Sequence, residues 1–297
     1  MSLTADYAPP PRTGVPSRAY SLDAKWRAVL LALVGVELVV LYAPTLRWLF
    51  DRWTMSVWHN AHGLFVLPVV AWLVYQELKA HRTLPVEASA WGFALLVPAL
   101  ALHALDAGMH TELLSAIAFT LALPALSLLF LGVARTKVIL FPLFFSVFAL
   151  PIPLGMTETV HLLLRHIAVA ACSFVLPWLG ITVLAEGTTL HTIRGSLQVA
   201  DACSGFSTLY AAFAVACLAA YSAQSPWRRV AVLAAAAPIA IASNILRVLL
   251  LVTLVEWRGQ GALETPLHPL SGLMTFALAL PIIFWLGGPP RGARGRV

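Results

Sequence analysis

Apolar residues along this chain recur in runs close to the ~20 residues that a helix needs to cross a bilayer, separated by short polar turns. The pattern predicts spans at 28–42, 64–75, 91–105, 113–131, 138–150, 206–223, 230–255 and 269–286. Helix-breaking PIPLG stops the fifth of these. Between the fifth and sixth lies 159–179, which is apolar yet carries His161, Arg165 and His166 within two helical turns. Those side chains are costly at mid-bilayer, so the segment reads as an interfacial or re-entrant helix. The Trp-rich stretch PTLRWLFDRWTMSVWHNAHG after the first span suits a membrane interface. The fold class that follows is all-α: a polytopic integral membrane protein of about eight transmembrane helices plus that one interfacial helix.

Composition agrees. The chain is 60% hydrophobic and only 11% charged, with mean hydropathy +0.85, where a soluble domain carries about 25% charged residues. The net charge of +6 does not point to nucleic acid, because the basic residues sit in short loops between spans. With 159–179 kept out of the membrane, Lys79, Arg82, Arg135, Lys137, Arg228, Arg229 and the basic residues of both tails fall on one side, which is then cytoplasmic. Arg47, Arg52, Arg165, Arg194 and Arg258 remain outside. The organisation is a cytoplasmic tail at 1–27, one transmembrane catalytic domain at 28–287 and a basic cytoplasmic tail at 288–297. No cleavage site follows the first run, so the N-terminus is not read as a signal peptide. The three cysteines form no disulfide framework and no zinc motif, and no metal or other cofactor is expected.

That topology brings three chemically capable residues to one depth on the outer face. Cys203 precedes the sixth span, Arg247 lies near the outer end of the seventh, and His268 opens the eighth. A thiol is nucleophilic as thiolate; a neighbouring His takes its proton, and an Arg cation favours the thiolate and offers donors to a developing oxyanion. Asn244 shares a helical face with Arg247 at i,i+3, and Gly205 would let a substrate backbone approach. Ser204, His62 and Arg194 are further supporting or substrate-binding candidates. The plainer readings stand beside these. A Cys at a span end packs as a small apolar group, which is how Cys172 and Cys217 are read; Arg247 can snorkel to headgroups, and His268 before Pro269 can be an ordinary helix-entry residue. Asp201, by its charge, would raise the thiol pKa.

VADACSGFSTLY, NILRV in the seventh span, and His268 with Gly272 four residues on resemble the exosortase/archaeosortase family. WHNAHGLFVLP and LPWLGITVLAEGTTL are similar to it as well, so the resemblance covers about 58–286. It implies an integral-membrane cysteine transpeptidase of a prokaryotic plasma membrane, working at the outer, periplasmic face. Its substrates would be membrane-anchored proteins ending in a sorting signal: a motif such as Pro-Glu-Pro, one transmembrane helix and a basic tail. The resemblance implies Cys203 as nucleophile, Arg247 as thiolate or oxyanion stabiliser, His268 as general acid/base and Asn244 in support. Water, or an amine on an envelope polymer or lipid, would resolve the acyl-enzyme. Some members carry a soluble C-terminal domain; its activity is not expected here. Two other classes stay open: a membrane acyltransferase or envelope-polymer enzyme using Cys203, and a non-enzymatic transporter or scaffold. The last is disfavoured by the absence of a sequence repeat and of polar residues at the midplane.

Overall fold

The computed structural model describes residues 24–55, 60–200 and 204–288. About 79% of the structure is helical, as an all-α polytopic protein requires. The chain divides into two units, 1–43 and 44–297. In the first, helix α1 (Ala24–Leu41) leaves Leu33, Val36, Val39 and Val40 exposed, the pattern of a helix apolar all round.

The second unit holds α2 (Ala43–Thr54), α3 (Gly63–Ala80), α4 (Trp91–Met109), α5 (Leu113–Val138), α6 (Leu140–Phe145), α7 (Leu154–Val175), α8 (Phe206–Ser222), α9 (Pro226–Arg258) and α10 (Leu267–Gly287). Length and composition single out six helices among the described residues as able to cross a membrane: α3, α4, α5, the segment Gly155–Leu179, α9 and Leu270–Gly287 within α10. A seventh results if Ala32–Leu41 and Ala43–Thr54 are counted as one span. The eight expected from sequence included α1, α8 and the 138–150 run, and left 159–179 out.

That segment is long and apolar enough to cross a membrane, and burial separates its polar side chains. Along α7 the residues Thr157, His161, Leu164, Ala168 and Cys172 form a buried stripe at helical spacing, so His161 faces protein and not headgroups. His166 remains exposed. An ionisable side chain turned into a bundle does not hold its helix at the interface.

The fourth and fifth runs are joined more tightly than their pattern suggested. Gly132, inside α5, takes φ 79 and ψ 176, and the chain reverses there. Ser127 Oγ and Thr136 Oγ1 lie 2.7 Å apart, yet nine residues of straight helix would separate them by about 13 Å. The return run therefore starts at residue 133, passes Ile139, and continues through α6 and a 3₁₀ turn, Ser146–Ala149. Arg135 anchors it by donating to the carbonyls of Leu84 and Arg82. One Trp of the supposed interface stretch is also internal: Trp53 is buried and donates to the Ala149 carbonyl at 2.8 Å.

The sequence reading had no strands. Among the described residues there are three, β1 (Val183–Glu186), β2 (Thr189–Thr192) and β3 (Gly195–Gln198), antiparallel in order β1-β2-β3. Two-residue loops close both hairpins, with Glu186 opposite Thr189 and Thr192 opposite Gly195. Leu190 and Leu197 alternate inward and, with Val199, pack on Val169 and Cys172 of α7 and on Val248, Leu251 and Val252 of α9. Leu184 and Ile193 stay exposed. Val199 still bonds Thr188 through its N–H, so the sheet holds the chain down to within a few residues of position 203.

Gly132 tests the reversal. A Cβ there would sit 1.8 Å from the Glu87 carbonyl oxygen at a φ that L-residues avoid. Gly132→Ala is expected to cost at least ~2 kcal/mol, read as a lowered melting temperature in detergent, while Gly108→Ala, with nothing near its Cβ, stays close to wild type.

Candidate active site

The site is built on α9. Ser225 and Pro226 start this helix well, since Pro at the first turn loses no intrahelical bond. Its packed face carries Ser243, Asn244, Arg247, Val248 and Leu251, so two strongly polar side chains lie among apolar ones, one helical turn apart. Asn244 is 4% exposed and Arg247 9%. Each is received by a different neighbour. Asn244 Nδ2 donates to the Ser204 carbonyl at 3.0 Å, in the turn that opens α8. Arg247 Nε donates to Ser271 Oγ at 3.4 Å, in the first turns of α10.

Two glycines make room for these side chains. A Cβ on Gly205 would lie 2.4 Å from Asn244 Cγ, and Gly205 has φ 86, so a side chain is excluded twice. A Cβ on Gly272 would come within 3.1 Å of Arg247 Cζ. The sequence reading gave the space over Gly205 to substrate; Asn244 occupies it. What remains beside Ser204 and Gly205 is a cavity of about 10 Å³, scarcely a water's worth.

Ser204, fully buried, is held from a third direction. Its Oγ lies 2.8 Å from His161 Nδ1 on α7 and accepts the Phe206 N–H at 3.3 Å. The His161 ring also packs on Phe206 with centroids 4.7 Å apart. Phe206 stacks towards Tyr210 one turn later, and Tyr210 meets the edge of His62 at 5.0 Å. The aromatic row thus runs from the Ser204 turn to the N-terminus of α3.

The sequence candidates divide as follows. Ser204, Gly205, Asn244 and Arg247 come together, and His62 borders them through Tyr210. His268 lies in the first turn of α10, one turn before Ser271 and Gly272; its side chain is outside the described atoms. Cys203 and Asp201 lie outside the described residues. Arg194 is elsewhere: it sits in the β2–β3 loop, where its backbone N–H meets Glu256 and its guanidinium donates to the Trp257 carbonyl, roughly 14 Å along α9 from Arg247. His161 was absent from the sequence candidates, although a His inside an apolar run is a visible signal. Cys172 is fully buried and Cys217 packs beside an apolar cluster, as small core residues. Among the described residues no group of three or more His, Cys, Asp or Glu could hold a metal ion.

The profile of one protein family, transmembrane exosortase (Exosortase_EpsH), matches residues 53–285. The chain belongs to this family. No curated protein matches it, and no solved structure does. Membership brings a membrane transpeptidase-type function in the broad sense. The part of the exosortase covered by the match begins at Trp53 and contains α8, α9 and α10 as far as Trp285; α1 lies before it.

One titratable group of the exosortase at the edge of this assembly is strongly perturbed. Burial holds the His62 imidazole down to about 4, only partly countered by a hydrogen bond with the Phe148 backbone. His62 is therefore neutral at pH 7. Between about pH 6.5 and 4 the unfolded chain takes up a proton that the folded chain refuses, so stability rises with pH through this window and falls as pH drops across it. Melting curves at a series of pH values should show a steeper acid loss for wild type than for His62→Gln; equal slopes would mean that the imidazole is freely solvated.

Proposed function

We propose that this chain is a cysteine transpeptidase that cleaves C-terminal sorting signals of exported, membrane-anchored proteins at the outer face of the plasma membrane. The observation that carries the reading is the double anchoring of α9. Asn244 binds the residue next to Cys203, and Arg247 binds a residue one turn from His268. Ser204 and Ser271, 67 residues apart in sequence, are thereby tied to one turn of one helix. The bound arginine favours this reading over simple packing, because burying a guanidinium in a membrane protein costs roughly 2.5–3.5 kcal/mol and is retained where it serves chemistry.

In the proposed reaction the Cys203 thiolate attacks the scissile carbonyl carbon, forming a C–S bond and an oxyanion that the Arg247 cation stabilises. His268, having taken the thiol proton, returns it to the leaving nitrogen as the C–N bond breaks. The transmembrane helix and basic tail of the substrate leave, and the remainder is held as a thioester. An amine, on an envelope polymer or lipid, or water then attacks the thioester, and the thiol is regenerated. Ser204, Gly205 and Asn244 hold the nucleophile's turn. Asn244 Oδ1 is buried and meets no donor among the described residues.

Co-expression with a substrate carrying motif, helix and basic tail tests this directly. Wild type should shorten the substrate and form a thioester-linked species visible by intact mass; Cys203→Ala should do neither. Normal processing by Cys203→Ala would refute the proposal. Arg247→Lys keeps the charge but loses the planar fork of donors, and should lower kcat by about 10²–10³ with a smaller change in KM.

A further inference from the structure

His161 stands apart from the residues named so far. It is 6% exposed in the middle of a helix whose other buried neighbours are mostly apolar, and its Nδ1 faces the hydroxyl of Ser204, the residue that follows Cys203. That hydroxyl has one proton and two acceptor sites. The Phe206 N–H uses one acceptor site and the imidazole takes up another position. On the other side of the same residue, the carbonyl is taken by Asn244 Nδ2. Ser204 is thus clamped between α7 and α9, with side chain and backbone engaged from opposite sides. Phe206, stacked on the imidazole, extends the clamp into the first turn of α8. A histidine serving only to fill volume would not need a polar atom at this point, and a leucine would pack the stripe of Thr157, Leu164 and Ala168 more cheaply.

We infer that His161 is a positioning residue for Cys203: through Ser204 Oγ it fixes the orientation of the turn that carries the nucleophile. The inference rests on Cys203 being the nucleophile, but the way His161 acts is separable from it. His161 works through Ser204, so removing either partner removes the same interaction.

The test is a double-mutant cycle in which His161→Leu keeps volume without a polar atom, and His161→Asn retains one near the place of Nδ1. Ser204→Ala removes the other partner. In a Cys172→Ala/Cys217→Ala background only Cys203 reports, and its alkylation by a maleimide is followed in detergent with no substrate present. His161→Leu and Ser204→Ala should each change the alkylation rate at least about threefold, the double variant should match the singles, and His161→Asn should lie near wild type. With the processing assay running, His161→Leu should lower kcat at least about tenfold with KM within about threefold, and His161→Asn should recover most of it. Unchanged alkylation in His161→Leu, or effects of the two substitutions that multiply, would overturn the inference. Should His161→Leu fail to fold, Ser204→Ala against His161→Asn decides by the same comparison. Cys203→Ala that still processes substrate would sink the proposed chemistry, an outcome distinct from a flat alkylation cycle.

Discussion

Polar side chains on an apolar helix have to be satisfied by other helices, and that requirement shapes the centre of this protein. α9 carries Asn244 and Arg247 on its packed face. A buried amide without partners costs about 1–3 kcal/mol, and an embedded guanidinium roughly 2.5–3.5 kcal/mol on the lenient scale. The offsetting partners come from two separate chain segments, Ser204 before α8 and Ser271 in α10. Both segments must then come close, and the residues that would block the approach, at 205 and 272, are glycines. The α8–α9–α10 packing follows from two side chains as much as from the Ala-rich core that α8, α9 and Ile283 share.

The sheet adds a constraint that helices alone do not supply. A loop between α7 and α8 would leave the chain free to choose how it enters the Ser204 turn. Instead β3 and Val199 are pinned by backbone bonds to β2 and its loop, and their apolar side chains sit on α7 and α9. The chain is held by a ladder as far as Val199 and, from Ser204 onward, by His161, Asn244 and Phe206. A nucleophile needs placement to within a fraction of an ångström, and rigid elements on both flanks are how a chain achieves it.

The helices were legible because an apolar run of span length is long enough to cross a bilayer and too long for a strand. Arg247 was legible because a cation inside such a run is conspicuous, and Asn244 followed from its i,i+3 spacing. Three things were hidden, each for its own reason. The strands are four residues long, so their alternation, Leu190 and Leu197 inward, is too brief to stand out between two apolar helices. Their turns, Gly187-Thr188 and Ile193-Arg194, include only one of the usual hairpin residues. His161 was masked by company: Arg165 and His166 nearby made the whole segment look interfacial, and only burial separates the inward histidine from the outward one. The reversal at Gly132 was blurred because Arg135 and Lys137 look like loop residues, whereas Arg135 sits in the returning helix and turns its guanidinium back to the carbonyls of 82 and 84.

The histidines near the site divide the work of the proposed reaction between them. A general base works best when its pKa lies near the operating pH and it can exchange protons during turnover. His62, held down to about 4 by burial and set against Tyr210, is too weak a base at neutral pH. His161 gives its Nδ1 to Ser204 and is sealed under Phe206, which suits holding a turn and not shuttling protons. By this reasoning the proposed proton transfer falls to His268, whose backbone lies in the first turn of α10, one turn before the Ser271 that receives Arg247.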